Sequence, residues 1–224
     1  MPKKLLFLHL SDIHINSNED AILRRSLAIA STTFQLLPEI HTVIIVISGD
    51  IAWSGANSQY ILATIFIDSL AKAISSENTD VKIEIFVCPG NHDCDFSLND
   101  ETRDAVIGRV RSQDASVPSI SLVKTATSVQ EEFFKFRDNV SKYAWTSDNK
   151  LSWQTSINVA GHMVGIRCLN VAWMSELKEK QGALFYPSTA VEPFSFDKSR
   201  GLHVTVLHHP FNWLVSLHTA PFNQ

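Results

Sequence analysis

Cysteine is scarce in this 224-residue chain: Cys88, Cys94 and Cys168 are the only three. Three thiols build no disulfide framework, and an odd count without a secretion signal points to a reducing, cytoplasmic setting. No leader peptide is expected, because the lysines and short apolar run of the first ten residues lead into Asp12 and His14 before any cleavage pattern, which reads as a first strand. No apolar stretch approaches the roughly 18 residues of a membrane helix, so no membrane partner is expected. Positive charge is not in excess either: 19 basic against 23 acidic residues give −4, which argues against a nonspecific nucleic-acid binder with a basic face. Low-complexity tracts and linkers are absent.

What remains is ordinary for a soluble globular protein, with 45% hydrophobic and 19% charged residues. The length suits one sizeable core, read as a single domain over 1–224. Residues 4–10 are almost continuously apolar, which suits a strand buried on both faces. Apolar residues at helical spacing follow over 19–37, with Ser17 or Asn18 as the expected cap. The unit recurs as a strand over 42–47 and a helix over 58–74, then as a third strand over 81–87. Strands alternating with helices predict an α/β layered fold whose first sheet is largely parallel.

The stretch 96–149 is less regular. Helices are expected over 100–110 and 128–140, an extended piece over 116–121, and the whole as a cap or rim. Residues 156–160 and 164–170 read as a hairpin turning at Gly161-His162. A polar loop over 175–200 precedes a last strand over 203–207.

Four polar clusters terminate apolar strands: Asp12-Ile13-His14, Gly49-Asp50, Gly90-Asn91-His92-Asp93 and His208-His209. Open α/β sheets place ligands at the carboxyl ends of their strands. In an extended segment Asp12 and His14 address one point. A semi-buried cluster of this polarity is costly unless something pairs it. Carboxylates, imidazoles and an amide oxygen without clustered thiols suit divalent Mn, Fe, Zn or Ni. Two-metal hydrolysis uses this chemistry, and an imidazole that is not a ligand assists the leaving oxygen. His92 is the candidate.

In motif order and spacing the chain resembles the calcineurin-like metallophosphoesterase superfamily, from residue 8 to residue 210. The resemblance implies a β-sandwich flanked by helices and two divalent metal ions. Asp12 and His14 would hold the first metal, Asp50 would bridge, and Asn91 and His208 would hold the second. His92 would be the catalytic imidazole beside a bridging hydroxide, and Asp93 would orient it. Protein phosphatases of this superfamily carry Asp-Arg-Gly after the second motif and Glu after Asn-His. This chain has Gly49-Asp50-Ile51-Ala52-Trp53-Ser54-Gly55 and Asn91-His92-Asp93, nearer to bacterial phosphodiesterases acting on nucleotides or nucleic acids. The segments 169–173 and 208–214 resemble phosphoesterase domains heading larger, partly defence-linked bacterial proteins.

The superfamily's closing Gly-His-x-His does not follow His208, and Gly161-His162-Met163-Val164 is no substitute. The expectation is therefore an N-terminal part of a longer protein, lacking strands of its second sheet. Apolar surface near Phe211, Trp213, Leu214 and Leu217 would be left for a fused domain or self-association. Two alternatives to a phosphodiesterase stand: a catalytically weak sensor or scaffold, and a phosphomonoesterase.

Among other groups, His209, Asn170 and Trp173 are assigned to substrate. Trp53 and Phe96 are assigned to the core by default. His9 and His203 are expected to be packed or hydrogen-bonded, and His41, His162 and His218 solvated. Arg103, Arg109 and Arg111 are read as a solvated helix face.

Overall fold

Thr42 to Ile47 is a run of β-branched residues, the side chains that fit a pleated surface buried on both sides. It forms the middle of the first sheet in the computed structural model, which describes residues 4–112, 118–187, 193–194 and 201–215. Strands β1 (Lys4–Leu10), β2 (Ile40–Ser48) and β3 (Lys82–Cys88) are parallel in the order β1-β2-β3. From Thr42 onward every residue of β2 is buried. β1 departs from the expectation of burial on both faces: it has one neighbour, and Phe7 remains 37% exposed.

The crossover between β2 and β3 is helix α2 (Asn57–Glu77). Tyr60, Ala63, Ile67, Leu70 and Ile74 lie on one stripe at helical spacing and are buried, Phe66 beside them. The crossover between β1 and β2 contains no helix of the expected length. Helix α1 covers only Ser26–Ser31, between 3₁₀ turns at Ala21–Arg24 and Leu37–Glu39. The hydroxyls of Ser31, Thr32 and Thr33 each donate to the carbonyl three residues earlier, at 2.7–2.8 Å. Such bonds compete with the helical ladder and end it. Neither Ser17 nor Asn18 caps a helix here. Asp20 accepts instead from the backbone of Asn16 and Ser17, which holds its carboxyl below the usual range.

The second sheet comprises β4 (Ser147–Asp148), β5 (Ser152–Val159), β6 (His162–Leu169) and β7 (Gly201–Val206), in that order. β5 and β6 form the expected hairpin, turned one residue earlier at Ala160-Gly161, both with positive φ (56° and 91°). β7 lies parallel to β6. Trp153, Ile157, Ile166, Cys168 and Val206 of this sheet share one apolar cluster with Ile44, Ile45, Phe86 and Val87 of the first. The Cys88 thiol donates to Leu169 O at 2.9 Å and ties the sheets together.

Helices α3 (Glu101–Ser112), α4 (Ile120–Ala126) and α5 (Glu131–Val140) occupy the middle of the chain. The extended piece expected over 116–121 is absent where described: Ser119 accepts from Leu122 N and opens α4, while 113–117 lie outside the described residues. α5 belongs to the main core through Phe133, Phe134 and Phe136, and Phe136 stacks on Tyr60 at 5.0 Å. α3 and α4 join Trp173, Tyr186 and Leu214 in a second cluster.

Arg103 is not on a solvated face. It is 1% exposed, and its guanidinium donates to Ala126 O, Asn99 Oδ1 and Ser175 O. The surface expected to lie bare near the last motif is partly covered. Leu184 and Leu214 bridge, with Leu184 N on Trp213 O and Val215 N on Leu184 O, leaving Leu214 2% and Phe211 40% exposed. Leu217 and His218 lie outside the described residues. Among the described residues no helix is long and apolar enough to cross a membrane.

Arg137 joins α5 to the second sheet. It is 4% exposed, donates to both carboxylate oxygens of Asp148 at 3.2 and 2.7 Å, and lies over the rings of Phe134 and Trp153. Removing one partner of a buried pair is strongly destabilising; with Asp148 partly exposed, Arg137→Ala is expected to cost about 2–4 kcal/mol. Urea unfolding of the variant against wild type measures this.

Candidate metal centre

Beyond their last paired residues, β1 and β2 remain zipped by backbone bonds. Asp12 N donates to Gly49 O (3.2 Å), His14 N to Asp50 O (2.9 Å) and Ile15 N to Ile51 O (2.9 Å). To keep this pairing while turning their side chains toward one point, Asp12, His14 and Asp50 take φ of 56°, 50° and 51°. Left-handed backbone is disfavoured for residues with a Cβ. Only two other non-glycine residues of the described chain share it, Lys150 and Ala160. Strain held by surrounding bonds concentrates where side-chain aim matters.

The aim is Asp50. Its side chain is 6% exposed, with Oδ2 3.3 Å from His208 Nε2 and 3.7 Å from His14 Nε2. Oδ1 accepts from His92 N at 3.0 Å. His14 Nε2 is also 3.9 Å from Asp12 Oδ1. Separations of 3.7–3.9 Å are too long for hydrogen bonds, yet they suit donors sharing a cation at about 2.0–2.2 Å. Two groups emerge: His14, Asp50 and His92, and Asp12, Asp50 and His208. Asp50 belongs to both.

The imidazoles are oriented from behind. His208 Nδ1 donates to Ser48 O at 2.8 Å and His92 Nδ1 to Trp53 O at 2.7 Å. A carbonyl only accepts, so in each ring Nδ1 carries the proton and Nε2 is left for chemistry. Burial opposes a charge on His208, but the Asp50 carboxylate outweighs it and pushes its pKa up to about 9. On Asp50 burial acts upward, and the contacts with His208 and His92 hold it lower than usual.

The turn Asn91–Asp93 docks by its last residue. Asp93 is fully buried and accepts from Gly90 N, Ile51 N, Ala52 N and the Tyr60 hydroxyl at 2.9–3.2 Å. Burial pushes its carboxyl up to about 6 against those backbone donors. Asp93 thus locks the second motif to the third and has no exposed surface for substrate. Gly90 lets them meet, because a Cβ there would lie 2.1 Å from Asp50 Oδ1 and 2.7 Å from His208 Cδ2. Asn91 heads the turn, half-buried.

Three substrate assignments stand elsewhere. Asn170 is fully buried, exchanges bonds with the Gln130 amide and donates to Lys150 O. Trp173 is fully buried with its indole N–H on Phe185 O. Both are core groups, since the chain after β6 turns inward. His209 is 4% exposed and pairs with Glu179 at 3.1 Å. His9 bonds Ser48 Oγ at 2.7 Å, and His162 is exposed. Trp53, assigned to the core, is 52% exposed and touches the rings of His14 and His92. Reading the sequence missed Tyr60 and Gln59 as supports because they lie on α2, outside the motifs; Ser48 adjoins the second motif but supports His208 through its carbonyl, which residue type does not reveal.

The buried carboxylate of Asp50, the exposed one of Asp12 and three imidazoles converge at strand ends in groups that could hold a divalent ion. The chain belongs to the calcineurin-like phosphoesterase family, whose sequence profile matches residues 5–213. Members of this family typically bind divalent metals. No curated protein matches the chain significantly. The residues fit such ions: no thiol enters either group, and the donor set is borderline to hard.

Two expectations follow from this geometry. Gly90→Ala forces its methyl against Asp50 and is expected to weaken Mn²⁺ binding at least tenfold and to cost about 1–3 kcal/mol, read by calorimetry and thermal unfolding. With its pKa raised to about 9, His208 is protonated near pH 7 and must lose that proton to bind a metal. Mn²⁺ affinity is therefore expected to rise roughly tenfold per unit as pH climbs toward 9. The metal-free fold behaves oppositely. Its gain from the His208–Asp50 pair is complete below about 6.5 and is lost as pH rises through 9.

Proposed function

We propose that this chain hydrolyses phosphodiester bonds in a nucleotide or nucleic-acid substrate, with two divalent ions held by Asp12, His14, Asp50, Asn91 and His208. The observation that carries the reading is the single buried carboxylate, Asp50, common to both side-chain groups, one of which also includes His92, to which proton transfer rather than an ion is assigned. Bound there, the ions would activate water and neutralise charge on the phosphate oxygens. Asp50 would supply negative charge to both ions. Ser48 O holds His208 in the tautomer that presents Nε2. Trp53 O does the same for His92, whose doubly protonated ring would deliver its Nε2 proton to the departing ester oxygen and be left as the Nδ1–H tautomer. Asp93 holds the backbone that carries both groups. The chemistry is phosphate-ester hydrolysis by family membership, and the preference for diesters rests on the Asn-His-Asp and Gly-Asp-Ile sequence contexts. Three buried, unpaired cysteines support a reducing, cytoplasmic setting.

With Mn²⁺ and the p-nitrophenyl mono- and diesters, wild type is expected to favour the diester. His92→Ala should lower kcat about 10²–10⁴-fold while Mn²⁺ binding persists, and Asp50→Ala should lose both. Full activity in either variant would sink the reading. Mn²⁺ binding without turnover of either ester would identify a binding module instead.

A further inference from the structure

Trp153 and Trp173 are fully buried, whereas Trp53 is 52% exposed at the mouth of the metal centre. Its ring centroid is 5.3 Å from that of His92 and 5.7 Å from that of His14. The exposure is imposed by a pinned backbone. Trp53 N donates to Ile15 O at 3.0 Å, and its carbonyl accepts from His92 Nδ1 at 2.7 Å. The next turn is held by the buried Gln59 Oε1, which accepts from Ser54 N and Ala56 N at 2.9 and 3.3 Å. Gly55, with φ of 67°, packs so closely on the third motif that a Cβ would lie 2.5 Å from Asp95 N.

None of these backbone bonds uses the indole, whose ring contacts are those with His14 and His92. Burying a large apolar side chain is worth about 1.5–3 kcal/mol, and this loop forgoes much of that gain to hold a flat ring outward beside the groups that would engage a phosphate. Among the described residues, Phe7 and Phe211 are the other well-exposed aromatics, and neither makes a ring contact with His14 or His92.

We propose that Trp53 is a stacking platform for the base of a nucleotide unit whose phosphate lies at the metal centre. The inference deepens the hydrolytic reading above and rests on it for the place of the phosphate. An organic group attached to that phosphate meets the indole first, and a nucleobase offers the matching π-face. Base stacking on an aromatic side chain contributes about 1–3 kcal/mol per base and tolerates any base. Affinity should therefore depend on the presence of a base more than on its identity. The net charge of −4 gives little general attraction to a phosphate backbone, which leaves stacking as the main contribution to grip outside the metals.

The test compares binding of AMP and ribose 5-phosphate by calorimetry to the Mn²⁺-loaded chain, in wild type, Trp53→Ala, Trp53→Leu and Trp53→Phe. Both ligands carry the same phosphate and sugar, and only AMP has a base. Wild type is expected to bind AMP about tenfold or more tightly. The gap should fall below about twofold in the Ala and Leu variants and largely persist in Phe, with Mn²⁺ stoichiometry unchanged, because the Trp53 carbonyl that orients His92 remains. Leu keeps apolar bulk, so a merely packing indole would be rescued by it. Equal binding of the two ligands by wild type, or a gap that survives Trp53→Leu, overturns the platform.

Turnover of a dinucleotide phosphodiester in the same preparations separates the two ideas. A gap that depends on Trp53, without any turnover, removes hydrolysis and keeps the platform. Turnover with no gap removes the platform alone.

Discussion

A carboxylate held out of water at the end of the central strand constrains everything around it. Asp50 sits where β2 leaves the core, 4% exposed, and an isolated buried charge is costly unless paired. His208 and the backbone of His92 approach it from the last strand and the third motif at 3.3 and 3.0 Å, and His14 comes from the first at 3.7 Å. Four separated segments converge because one anion must be compensated. The same compensation is what a divalent ion would supply.

Two devices make that convergence rigid. One is the left-handed backbone at Asp12, His14 and Asp50, tolerated because the loops after β1 and β2 stay hydrogen-bonded to each other. The other is Asp93, which gathers three backbone N–H groups and the Tyr60 hydroxyl inside the core. Tyr60 stacks on Phe136 of α5, so this helix reaches the metal centre through packing. Asn170 and Trp173 belong to this packed support as well, which is why polar and aromatic type alone misassigned them to substrate.

The repeated strand-to-helix pattern was legible because hydrophobic periodicity and β-branched runs are local properties. The motif residues were legible because their types are costly to bury without a partner and each follows an apolar run. Legibility failed where short-range and tertiary effects compete. Ser31, Thr32 and Thr33 shorten a helix whose apolar spacing looked sufficient. Arg103, on an outwardly polar stretch, is buried because three acceptors from distant segments meet it. Trp53 looked like core on composition and is exposed because its backbone is fixed on both sides.

The sequence by itself determined that strands end in carboxylate, imidazole and amide groups, that the first sheet is parallel, and that metal-assisted phosphoester chemistry is the natural use of such groups. These follow from residue type and spacing, which act over a few positions. Tertiary structure alone decided that Nε2 is the free nitrogen of His92 and His208, and that Trp53 faces outward while Asn170 and Trp173 do not. Those outcomes depend on which backbone carbonyls and side chains meet across the two sheets, and no local pattern in the chain encodes that meeting.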